Sequence, residues 1–90
     1  MTASPAHATL TADTVTTITF DEVYNQVEVL NVDGAAAIYV TADNTTPTVE
    51  GNGCNVLPAA IGGLVIASPT TPTTVKLISA GTPKVSVRGV

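Results

Sequence analysis

Charge is scarce in this chain. Asp, Glu, Lys and Arg make up 11% of its 90 residues, less than half the ~25% usual in a globular domain, so most of the surface has to be neutral. Bases are the scarcest, three against seven acids, for a net charge of −4. Nucleic acid is therefore excluded as an expected partner: there is no phosphate-neutralising patch, and with aromatics at 3% and no Trp there is no stacking platform for bases. The single Cys54 excludes an intramolecular disulfide. No stretch approaches the ~20 apolar residues of a membrane-spanning helix, and the opening MTASPAHATL lacks the basic start and apolar run of a signal peptide. The expectation is synthesis in the cytoplasm, with no signal peptide and no membrane partner.

Residues that carry chemistry are equally sparse. His7 and Cys54 are the only members of their kinds, and a nucleophilic Cys–His pair also needs a group to orient the base, for which nothing is in place. Asp43, Asn44, Glu50 and Asn52 could offer oxygen ligands, but their spacing matches no calcium loop and all four are good turn formers. Sugar recognition normally uses exposed rings, and the chain offers Phe20, Tyr24 and Tyr39. No catalytic, cofactor or metal site is expected, and the protein is not expected to be an enzyme.

What is abundant is threonine and valine, β-branched types that suit a pleated sheet and lose side-chain freedom in a helix. The fold class is all-β. At the centre lies VEVLNVDGAAAIYV, residues 27–40, where two apolar runs flank Asp33-Gly34, the sequence signature of a two-residue type I′ hairpin. That turn would set Val29 opposite Ile38 and Val27 opposite Val40 on an aliphatic face, with Glu28 opposite Tyr39 on the other. TVKLISAGTPKVSV predicts a second hairpin, burying Val75, Leu77, Val85 and Val87 and exposing Lys76, Ser86 and Arg88. Alternation from Leu10 to Phe20 predicts one long or bent strand. The segments between carry Asp, Asn, Pro and Gly and read as loops, with SPTTPTT suited to an edge or to a crossing between sheets. Residues 9–90 are thus expected to form a single domain, a small antiparallel sandwich or barrel of about seven short strands, and residues 1–8 a flexible arm outside it.

All seven acids precede residue 51 and all three bases follow it. Such segregation fits one end of a subunit attracting the other end of its neighbour. A small domain with little edge-protecting charge also gains from neighbours. The expected assembly contacts are Ala3, Pro5 and His7 of the arm, together with Lys76, Lys84 and Arg88.

In VEVLNVDGAAAIYVTADNTTPTV, LPAAIG and VKLISAGTPKVSVRGV the chain resembles small virion proteins of tailed bacteriophages, particularly those infecting actinobacteria. The resemblance implies a head decoration or minor capsid protein: a non-enzymatic subunit, often trimeric, that binds the major capsid protein on the outside of the shell and strengthens it. It carries over no binding residue. The competing expectation is a tail- or fibre-associated carbohydrate-binding or adhesion module.

Overall fold

Alternation of inward valines and outward polar residues produces eight short strands in a computed structural model, which describes residues 2 to 90. They are β1 (Ala6–Thr9), β2 (Thr16–Thr19), β3 (Gln26–Asn31), β4 (Ile38–Thr41), β5 (Asn55–Leu57), β6 (Gly62–Ala67), β7 (Thr74–Ile78) and β8 (Lys84–Gly89). One sheet has the order β1-β8-β3-β6 and the other β2-β7-β4-β5, with every neighbouring pair antiparallel. The all-β sandwich is as expected. Its strand order is that of a jelly roll, the double-sheet architecture in which a long antiparallel ribbon is rolled up.

The ribbon is visible in the registers. First strand pairs with last, second with seventh, third with sixth and fourth with fifth. In the first three of these pairs the two residue numbers add to one constant total, as in Ala6 with Val87, Thr16 with Leu77 and Gln26 with Ala67. The chain is one hairpin whose bend is the loop at residues 42–54. Rolling places each consecutive strand in the opposite sheet, except β4 and β5.

Four expectations are corrected by this topology. Residues 27–40 are not a hairpin, because β3 and β4 lie in different sheets; Gly34 has φ 65° but Asp33 does not take the positive φ of a type I′ turn. Sheets packed face to face stand about 10 Å apart, farther than a two-residue turn can reach, and residues 32–37 make the crossing. For the same reason β7 and β8 are not a hairpin. The strand expected over residues 10–20 is broken, since residues 10–15 cross between sheets, with Asp13 at φ 56°. Finally, the arm is not outside the core: Ala6, His7 and Ala8 pair with Val87, Ser86 and Val85, Ala6 is buried, and Thr2 forms a parallel bridge with Phe20. Met1, also assigned to the arm, lies outside the described residues. This extra strand makes the count eight instead of seven.

The core fills the space between the sheets. Ala6, Val27, Val29, Val85 and Val87 face inward from one sheet, and Ile18, Ile38, Val40, Leu57, Val75 and Leu77 from the other. Phe20 is fully buried and meets the Tyr24 ring edge to face, centroids 5.8 Å apart, the arrangement that ring quadrupoles favour. Gly89 makes room for that tyrosine, since a methyl group there would overlap its ring.

Candidate assembly interface

Rolling the ribbon gathers its crossings at two ends. Residues 10–15, 32–37, 58–61 and 79–83 meet at one end, and residues 20–25, 42–54 and 68–73 at the other, with the chain termini. Each end is pinned by buried polar side chains. Asn31 is wholly buried, donating through Nδ2 to the carbonyls of Ala36 (2.9 Å) and Pro58 (3.0 Å) and accepting the Gly34 N–H on Oδ1 at 3.1 Å. Ser79 Oγ donates to the Ala37 carbonyl at 2.6 Å. At the opposite end, Thr73 Oγ1 accepts the Tyr24 N–H at 2.7 Å and donates to the Tyr24 carbonyl at 3.2 Å, while Ser68 Oγ donates to the Ala42 carbonyl. Backbone groups that turn a corner cannot join a ladder, and these side chains supply the missing partners.

The rigid end at Asn31 presents apolar surface. Ile61 is 76% exposed and Val32 47%; Ala12, Ala35, Ala59, Ala60 and Ala80 are exposed around them. Gly34 lets the β3–β4 crossing lie against the backbone of Ala60 and Ile61, since a Cβ there would stand 2.9 Å from the Ile61 nitrogen. Beside this end a shallow groove of ≈ 360 Å³ is lined by His7, Ala8, Thr9, Val32, Lys84 and Val85.

The expected contact residues are divided by the fold. His7 and Lys84 come together in that groove. Arg88 shares their outward sheet face but is paired through Nε with Glu28 Oε1 at 2.7 Å. Lys76 lies on the other sheet, its Nζ donating to the Asn44 carbonyl at 3.3 Å. Ala3 and Pro5 are exposed; Ala3 borders a smaller cleft with Ser4, Asp21, Glu22 and Tyr24. Two of the three bases meet acids of the same chain. Pairing the first half of the ribbon with the second brings Arg88 to Glu28, and Lys84 to Asp33, whose carboxylate accepts the N–H groups of Ala35 and Lys84, each at 3.2 Å. The Ala35 bond, then that from Lys84, holds the Asp33 carboxyl below its ordinary value of 3.8, against an opposing desolvation. Asp43 is lowered likewise, chiefly by the Thr45 hydroxyl at 2.6 Å and then by the Thr45 amide.

Of the two roles open to SPTTPTT the fold takes the crossing, over residues 68–73, and the actual sheet edges were not singled out from the sequence, since edges depend on sheet membership. They are β1 and β6 in one sheet and β2 and β5 in the other, with sequences AHAT, GGLVIA, TTIT and NVL. None carries an acid, a lysine or an arginine. All ten charged side chains stand on interior strands or on connections. The chain matches no family model, no curated protein and no solved structure.

Proposed function

We propose that this chain is a structural protein of a virus particle without catalytic activity: a capsid decoration protein that binds the major capsid protein on the outside of a tailed-phage head and stabilises it, acting as a homo-oligomer. The observation that carries the reading is the neutrality of the rims. Solvated edge strands are ordinarily blunted by charge, lysine above all, whereas here four uncharged edges and an apolar end around Ile61 can be desolvated at little cost. Jelly rolls serve repeatedly as capsid domains, which supports the reading by analogy of fold alone.

Purified particles and empty shells provide the test. The chain is expected in purified particles in fixed stoichiometry with the major capsid protein, and the isolated protein should bind undecorated shells. An Ile61→Glu substitution should weaken that binding while leaving the melting temperature unchanged, because the side chain is largely solvated. Absence from particles overturns the reading.

A second reading, a carbohydrate-binding or adhesion module of the tail, draws on Tyr39, which stands on the outward face of its sheet opposite Val56 and Ile78. Glycan binding abolished by Tyr39→Ala, in a protein located on tails, would favour it.

A further inference from the structure

Of the four edges, three are short or obstructed. The β2 edge is covered where Thr2 donates to the Thr19 carbonyl and accepts the Asp21 N–H. β5 has three residues. β1 is preceded by Pro5, which has no N–H to offer. β6 runs for six residues with its outward groups free, and their identity follows from the ladder. The Ser68 N–H donates to the Asn25 carbonyl at 2.9 Å, one step beyond the pair Gln26–Ala67. Bonded pairs alternate in an antiparallel ladder, so Gly62, Leu64 and Ile66 turn their backbone groups toward β3. Gly63, Val65 and Ala67 turn theirs to solvent. The same three residues are exposed, Val65 at 48%.

We infer that β6 pairs antiparallel with β6 of a second copy, about a two-fold axis through Val65. The strand is matched to itself around that residue. On the outward face the axis sets Val65 against Val65 and Gly63 against Ala67; on the core side it sets Leu64 against Ile66, isomers of one volume. A strand so ordered is its own complement, the condition for an isologous contact. The N–H and C=O groups of Gly63, Val65 and Ala67 are then all bonded to their counterparts, and the half-buried Leu64 and Ile66 are covered. Electrostatics permits the approach. The residue across from Val65 on β3 is Glu28, already neutralised by Arg88. The two β1-β8-β3-β6 sheets become one continuous sheet, and copies associate in pairs in place of the trimer that the resemblance implies. Contact is limited to one strand from each copy, so a dissociation constant on the order of micromolar or weaker is expected.

Sedimentation equilibrium up to the solubility limit, combined with amide hydrogen exchange at low and high concentration, tests the pairing. The expected result is a monomer–dimer equilibrium in which the amides of Gly63, Val65 and Ala67 gain protection with concentration and those of His7 and Thr9 do not. Val65→Lys, which sets two ammonium groups against each other at the axis, should shift the protein to monomer without changing the monomer's melting temperature. Thr17→Lys, on another edge, should leave the dimer intact. As a second line, Val65→Cys in a Cys54→Ser background should form an interchain disulfide on mild oxidation, whereas Thr17→Cys should not. A wild-type protein that stays monomeric or trimerises overturns the inference, and so does a Val65→Lys variant that dimerises as well as the wild type. The pairing does not rest on the virion role: a dimer absent from particles removes only that role, and a monomer found on particles removes only the pairing.

Discussion

Asn31 is the single residue on which the apolar end most depends. Its carboxamide, itself wholly buried, holds two crossings and a turn with three hydrogen bonds. Asn31→Ala strands the carbonyls of Ala36 and Pro58 and the Gly34 N–H; with each unsatisfied buried group costing ~1–3 kcal/mol, partly relieved by relaxation, we expect a loss of roughly 2–4 kcal/mol. Thermal unfolding should show a fall in Tm on the order of 10 °C or more. Gly34 carries a double constraint, its positive φ and its approach to Ile61. Gly34→Val should cost about 3 kcal/mol, strain of ~1–3 kcal/mol being augmented by the steric clash. An unchanged Tm would show the crossing to be adaptable. Asp33 sets part of the acid response. Its carboxyl is lowered in the folded state, so its contribution is present above the ordinary value of 3.8 and fades as pH falls through the folded one. Asp33→Asn should therefore flatten the fall in stability below about pH 4, checked by melting curves on either side of it.

At the scale of the element, which face each strand buries was legible and which strand it neighbours was not. Val27, Val29, Ile38, Val40, Val75, Leu77, Val85 and Val87 are all buried, as their alternation requires. Alternation reports which face looks inward, and that is the same whether the next strand lies alongside in one sheet or opposite in the other. Asp33-Gly34 thus reads as a tight hairpin in sequence and serves in the fold as part of a corner. The clustering of His7 with Lys84, the exposed end around Ile61 and the corner roles of Asn31 and Thr73 all depend on that pairing, so no local pattern marks them. β1 was missed for a different reason: Ala6 and Ala8 are too small to show a hydrophobic period, yet they cover Val87 and Val85. Deleting residues 2–8 should accordingly lower the Tm of the isolated domain, because it uncovers β8 and removes the Thr2 bonds to Thr19 and Asp21. A truncated domain that melts like the full chain would show β1 to be dispensable for folding.

For the whole molecule, the ribbon makes almost every contact a distant one in sequence. Such topologies fold slowly, because loop closure is costly before pairing rewards it. The β4–β5 hairpin closes the shortest loop and is the natural place to begin. The ribbon also brings both ends of the chain together, the Gly89 N–H donating to Ser4 Oγ at 2.9 Å. Consider tension applied between those ends. It meets the β1–β8 ladder from its terminal rung, so the bonds part in succession, as a zip opens, and none shares its load with the next. Handles placed at Thr45 and Ala80, beyond opposite ends of the neighbouring strands β4 and β7, would instead drag those strands lengthwise past each other and load their shared bonds at once. Stretching single molecules should give the lower first rupture force between the termini. A domain of this kind is soft between the ends of its ribbon and stiff along its strands, and any partner that must hold it under load does better to grip the strands.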